Sequence, residues 1–316
     1  MNDSDQLPNA TLPAEAPKPH SLLHRILTRH AVLLVLPGTI WGASFLFIAE
    51  GLRSIAPNGL TFTRILIGFA ALSMVPRTRR PIPLSAWPRV ALLGLLWFAF
   101  PLSMFPHAEQ HVSSALTGML NGAVPLFATT VAAVLARRLP SSGVLIGLVI
   151  GMGGGVLMTL PTWGAETNEV TGVLLILAAL VSYGFALNVA GPLQQEFGAL
   201  PVIWRAQMVA LVLTAPLGFP ELMEAHWILS SGLSLLALGA LGTGLAFVVQ
   251  ATAAGRVGAA RASATTYLIP TVALLLGVAV LGEHVSLISI LGAAICVTGA
   301  WVMQVKKRAA TRQAAS

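Results

Sequence analysis

Charge is what this chain has least of. Asp, Glu, Lys and Arg make up 9% of its 316 residues, where a water-soluble domain carries roughly 25%, so a soluble globular fold is excluded. Cysteine is nearly absent: the single Cys296 lies inside an apolar run, which rules out a disulfide framework and a paired-cysteine metal site. No P-loop pattern of the GxxxxGK[ST] type occurs, and the gaps between apolar runs are too short for a soluble domain, which argues against ATP-driven chemistry. What is present is apolar. Hydrophobic residues reach 56% and mean hydropathy is +0.82, so the many glycines and prolines belong inside lipid-embedded helices.

Crossing a hydrocarbon core of about 30 Å takes roughly 20 apolar residues at about 1.5 Å per residue. Ten runs qualify, at 31–50, 57–76, 88–106, 113–135, 142–160, 170–190, 200–219, 231–251, 258–281 and 286–305. Residues 1–30 hold both Asp residues and several prolines without an apolar core of signal-peptide length, and read as a disordered polar tail. Cytoplasmic loops retain Lys and Arg. With the N-terminus inside, that side collects every Lys and Arg except Arg53, Arg64 and Arg205, while the other collects Glu109, Glu166, Glu169, Glu221, Glu224 and Glu283. Both termini are then cytoplasmic, and the high pI of about 10.7 follows from topology, with no nucleic-acid partner implied.

A weak internal repeat has a nearly constant offset. Trp41-Gly42 aligns with Tyr183-Gly184 at a shift of 142, Arg64 with Arg205 at 141, and Pro125 with Pro270 and Gly147 with Gly292 at 145. Each copy holds five runs, so the second enters the membrane from the opposite side, as in the inverted repeats of transporters. After the proline-bearing helix the first copy reads Arg137-Arg138 and the second Gly282-Glu283. The charge reverses as it should if the two turns face opposite sides. The expected fold is therefore an all-α integral membrane protein of ten transmembrane helices, arranged as two inverted five-helix repeats over 31–160 and 161–305. A basic cytoplasmic tail follows at 306–316.

Three stretches carry a family resemblance: Ile40-Trp41-Gly42-Ala43-Ser44-Phe45, the Arg64 segment, and Gly258-Ala259-Ala260-Arg261-Ala262-Ser263 running through Pro270 to Gly282-Glu283. In these the chain resembles the EamA-like transporters of the drug/metabolite transporter superfamily over about 31–305. It departs from the family in Arg137-Arg138, where a Gly-Glu pair is often seen. The resemblance implies a multi-pass carrier of the bacterial inner membrane, usually an exporter of amino acids or other small metabolites.

The candidate substrate-binding residues are Trp41, Ser44, Phe45, Arg64, Asn121, Tyr183, Asn188, Arg205 and Tyr267, with Trp204 and Gln207 beside them. A cation at the centre of a membrane helix costs roughly 2.5–3.5 kcal/mol on insertion scales, so Arg64 and Arg205 need a reason. Either they meet a substrate carboxylate, or they snorkel or hold helix-end carbonyls. Pro125 and Pro270 each bend a helix and free a carbonyl, as path-lining kinks or as packing bends. Gly143, Gly147, Gly151 and Gly155 recur every four residues, and Gly292, Cys296 and Ala300 repeat the spacing; these are faces for close helix packing, within the protomer or in a homo-oligomer. His107 and His111 stand four apart, but Ala108 occupies the place of the zincin glutamate and no third ligand is near. Neither a metal nor another cofactor is indicated.

The function these residues favour is a secondary transporter of small molecules, probing both sides of the membrane by rocking two inverted halves around a midplane site. An intramembrane enzyme is the first alternative, but no convergent acid, base or metal group supports it. A flippase of lipid-linked intermediates is the second.

Overall fold

The computed structural model describes residues 30–162, 167–257 and 263–315, with side chains described to Val305. The expected polar tail through residue 29, Glu166 and the stretch from Gly258 to Ala262 lie outside it. Among the described residues there is no strand. The helices are α1 (His30–Gly51), α2 (Pro57–Ser73), α3 (Leu84–Ala108), α4 (Ser114–Asn121), α5 (Val124–Ala136), α6 (Ser142–Thr159), α7 (Thr167–Phe197), α8 (Ala199–Met223), α9 (Leu229–Ala253), α10 (Leu268–Leu281) and α11 (Leu287–Ala315).

Among the described residues six helices are long and apolar enough to cross a membrane, and the bent pair α4 and α5 makes seven. The shorter apolar helices Val35–Gly51 and Thr265–Leu281 accompany them. Large apolar side chains such as Val149, Leu174, Val212, Leu217 and Leu275 stand exposed around the outside of the bundle. In water so much apolar surface marks a binding face or an aggregation hazard; here it is the lipid-facing coat of a multi-pass membrane protein.

Local chemistry explains the ends. Pro57 begins α2, where its missing N–H is harmless, and Pro76 opens a 3₁₀ turn, so the helix stops at Ser73 rather than at the expected 76. The fourth apolar run is two helices, not one, bent by 42° across Asn121-Gly122-Ala123-Val124. Pro125 sits in the first turn of α5, so the proline starts the second helix instead of kinking a continuous one. Ser113 caps α4 by accepting from Leu116 N at 3.2 Å.

Two features were not legible in the sequence. Residues Gly94–Ala99 of α3 and Leu238–Leu245 of α9 are π-helical, a geometry that recurs at functional sites. They lie a shift of about 144 apart, close to the offset of the sequence repeat. The same offset relates close helix approaches. A Cβ at Gly94 would meet Ala206 O at 2.6 Å and Val209, while one at Gly239 would meet Ile67 and Arg64 O at 3.0 Å. Gly42 lies against Val272 and Ile269 O, and Gly184 against Val131 and Phe127 O. Helix partners exchange in the same way: α1 packs on α9 and α10 as α7 packs on α3 and on α4 with α5, while α2 packs on α8, α4 on α10 and α6 on α11.

Candidate functional site

A polar cluster lies buried where α1, α2, α3, α7, α8 and α9 meet. α2 brings in Arg64, which is 4% exposed. Its Nε donates to Thr243 Oγ1 at 3.4 Å, a long bond for a group with five donors. Thr243 sits in the π segment of α9, and its carbonyl accepts from Gln207 Nε2 of α8 at 2.8 Å. Trp41 Nε1 of α1 donates to Gly242 O at 3.0 Å. The widened turn of α9 thus presents successive carbonyls to side chains from two other helices, which a regular α-helix would keep for itself.

Three ionisable or polar groups converge beside it. The buried Arg64 guanidinium, the Tyr183 ring against Phe105, and Glu109, one helical turn beyond Phe105, all lie in this part of the bundle. Both carboxylate oxygens of Glu109 are shielded from solvent without a hydrogen-bond partner, as are Thr63 Oγ1, Gln207 Oε1 and Asn121 Oδ1. Aromatic rings wall the cluster. Phe45 meets Phe105 edge to face at 5.7 Å, and Phe105 meets Tyr183 at 5.9 Å. On the opposite flank Phe247 contacts Trp41 at 5.4 Å, Trp97 at 5.4 Å and Phe98 at 5.2 Å.

Of the residues expected from sequence, Trp41, Ser44, Phe45, Arg64, Tyr183 and Gln207 are at or beside this cluster. Ser44 Oγ donates to Ile40 O of its own helix and faces Gly242. Asn121 Oδ1 is left without a partner, and the others are engaged elsewhere. Arg205 Nη1 donates to Thr78 O at 3.3 Å and Pro201 O at 3.2 Å and lies over Trp204, which donates to Ser73 Oγ at 2.8 Å. It holds turn and helix carbonyls at the end of α8. Asn188 Nδ2 donates to Ala128 O and Gly184 O, tying α7 to α5. Tyr267 Oη donates to Ala300 O of α11. Pro270 packs against Gly122, so the two proline-bearing segments meet each other where α4 crosses α10.

Sequence reasoning took Glu109 as part of an outer turn beside two histidines. Its position just after α3 gave no sign that both its carboxylate oxygens would be shielded from solvent. Thr243 was also missed; a hydroxyl among Gly239, Gly242 and Gly244 in the middle of an apolar run was the available signal. Among the described residues no group of three metal-ligating side chains occurs, and His107 Nδ1 is bonded to Ser103 O.

A cavity of about 550 Å³ is separate and apolar, lined by residues such as Leu120, Phe127, Met152, Val156, Leu174 and Leu177 of α4 to α7. It holds none of the cluster's polar groups.

Comparison with known proteins agrees with this architecture. The EamA-like transporter family matches residues 28–160 and 170–305, which are the two halves related by the internal offset. "Uncharacterized transporter YdfC" of Bacillus subtilis is 28% identical over 87% of this chain and 89% of its own. A "Probable terminal-alkyne amino-acid exporter" of Streptantibioticus cattleyicolor is 26% identical over 91% and 96%. The inner membrane transporter YedA of Escherichia coli is 28% identical over 82% and 85%. A protein crystal structure of 18% identity superposes with a TM-score of 0.58, covering 85% of this chain and 98% of that one, a likeness of fold.

Proposed function

Because the chain belongs to the EamA-like transporter family, we propose that it is a secondary transporter exporting small metabolites such as amino acids, by alternating access between two inverted five-helix halves. The observation that carries this reading is the buried cluster of Arg64, Glu109, Tyr183 and Thr243, assembled from both halves in an otherwise apolar bundle. Ionisable groups inside a membrane are costly and mark substrate or ion pathways. The exchange of helix partners under one offset supports an inverted repeat, in which α4 and α5 form one broken span and the count comes to ten. The exporter named among the relatives supports an amino-acid-like cargo, and the one named for an inner membrane supports that location.

In this reading both termini face the cytoplasm. The end of the bundle holding Glu109, Glu221 and Glu283 faces out, and the end holding Arg77, Arg79, Arg80, Arg89, Arg137 and Arg138 faces in. The outer end is closed by the second half reaching to helix N-termini of the first. Glu221 accepts from Asn58 Nδ2 and Gly59 N, both at 2.7 Å, at the start of α2. Glu283 accepts from Ser114 N and Ala115 N, both at 2.8 Å, at the start of α4. Each carboxylate meets the positive end of a helix dipole. Rocking the halves apart at this end breaks both contacts and opens the cluster outward.

The test is reconstitution in proteoliposomes, with counterflow of pooled radiolabelled metabolites measured with and without a proton gradient. Saturable movement by wild type, lost in Arg64→Gln while that variant stays monodisperse, is the expected result. An Arg64→Gln variant that misfolds, with Arg64→Lys transporting normally, would make the arginine structural. No movement of any pool by oriented, monodisperse protein would sink the carrier reading.

A further inference from the structure

The segment that joins α2 to α3, residues 74–89, is a cationic strap pinned to the end of the bundle. Thr78, Ile82, Ala86 and Val90 are buried at intervals of four residues, and the last three join an apolar core with Val202 and Ala206 of α8. Arg205 Nη1 holds the Thr78 carbonyl at 3.3 Å, and Arg79 Nη2 donates to Ser73 O at 2.9 Å. Pro76, Pro81, Pro83 and Pro88 fix the backbone further, so the strap is stiff before anything binds it. What stands between the buried points is exposed. Arg77 and Arg80 are exposed and make no hydrogen bond or ion pair among the described residues. No Asp or Glu occurs between Glu50 and Glu109, and Glu196, which approaches the strap from α7, meets Arg89 at 3.6 Å. Met74 is 84% exposed and Leu84 83%, among the barest large apolar side chains of the described residues.

We propose that this strap is a binding surface for anionic phospholipid, Arg77 and Arg80 taking headgroup phosphates while Met74 and Leu84 enter the acyl layer beside them. Its place in the chain selects a lipid over an aqueous partner. The strap leads from the end of one membrane helix into the next apolar span, so it lies where hydrocarbon gives way to headgroups. There an exposed methionine or leucine gains by leaving water, and a guanidinium matches a phosphate in two bonds. A zwitterionic surface has no net charge to offer the two free cations. A soluble acidic partner meets the cations but leaves the apolar pair bare. Because the strap is already stiff, little conformational freedom is lost on binding. Through the Arg205 contact, lipid held here ties the adjoining ends of α2 and α8 to the bilayer surface, whatever the bundle carries.

The experiment follows thermal unfolding of the purified full chain in a nonionic detergent while dioleoyl phosphatidylglycerol, dioleoyl phosphatidylcholine or glycerol phosphate is titrated in. The expected result is a midpoint that rises with phosphatidylglycerol and with neither of the others. Arg77→Gln with Arg80→Gln raises the phosphatidylglycerol concentration needed for half the effect by about thirtyfold, the scale of two cations at an anionic surface. Arg77→Lys with Arg80→Lys keeps the preference for the anionic lipid. Met74→Ser with Leu84→Ser raises the half-effect concentration by about tenfold through lost apolar burial. Lys306→Gln with Lys307→Gln removes the same charge elsewhere and responds as wild type does. Equal shifts with the two lipids, or none with any of the three, would overturn the proposal and leave the arginines to a soluble acidic partner. A shift with glycerol phosphate as large as with the lipid would replace the surface with a free-phosphate site. The same loss in the lysine pair as in the arginine pair would reduce the effect to net charge, and either result overturns the strap as a lipid site.

Discussion

Arg137 ends α5 in a left-handed conformation, φ 50° and ψ 36°, and among the described residues it is the one non-glycine residue with positive φ. At the corresponding end of α10 stands Gly282, φ 68°. A side chain in this region costs roughly 1–2 kcal/mol, and glycine is the usual residue where a helix closes this way. The turn is therefore the same in both copies, while the first pays for a cation with backbone strain. Arg137→Gly is expected to raise the thermal midpoint of the purified protein by the equivalent of about 1 kcal/mol. A lowered or unchanged midpoint would mean that the Arg137 side chain makes a compensating contact. The sequence exposed the reversal of charge from Arg137-Arg138 to Gly282-Glu283. It did not expose the shared backbone turn, nor that Glu283 folds back over Gly277 to reach α4.

At the scale of elements, α6 and α11 make the most extensive helix contact in the bundle, and it is backbone against backbone. A Cβ at Gly147 would meet Met303 N at 2.5 Å and Gly299 O at 2.7 Å, and one at Gly292 would meet Met158 N at 2.5 Å and Gly154 O at 2.8 Å. Gly154 lies on Cys296 N and Gly299 on Gly151 N. The expected face of small residues was legible as a period of four. Its membership drifts because a helix turns every 3.6 residues: Gly154 takes the place assigned to Gly155, which has nothing within 4 Å. Gly154→Val is expected to destabilise by about 1–3 kcal/mol, the usual cost of overpacking, because the obstructing atoms are main chain and cannot turn aside. Gly155→Ala is expected to be neutral or to stabilise by up to about 1 kcal/mol through helix propensity. Parallel melting curves in one detergent decide it; equal losses would remove the distinction between the two faces. The π segments of α3 and α9 were illegible for a different reason. Their widened hydrogen bonding depends on partners such as Trp41 and Gln207 arriving from other helices, which no local pattern records.

For the whole molecule, two contacts of one kind stand at the end that carries the glutamates, each made by a carboxylate of the second half on a helix N-terminus of the first, and in the proposed mechanism they shut that end. Charge-assisted hydrogen bonds contribute roughly 1.5–3 kcal/mol apiece, so a pair of latches of two bonds each is enough to hold one conformation dominant over the other. Glu283→Gln keeps the shape and removes the charge; its amide oxygen accepts one N–H where the carboxylate accepted two. In the proposed orientation the variant is expected to populate the outward-open form more, by about tenfold for each bond weakened by roughly 1.4 kcal/mol. The reporter is Ser114→Cys, since Ser114 is 2% exposed at the latch and contributes only its backbone N–H there. Its background is Cys296→Ala, which removes the buried native thiol. Labelling of Cys by a membrane-impermeant maleimide added outside should quicken when Glu283→Gln is introduced, and quicken further with Glu221→Gln. Unchanged labelling in both, with unchanged counterflow, would show that the two contacts are static braces and that the halves part somewhere else.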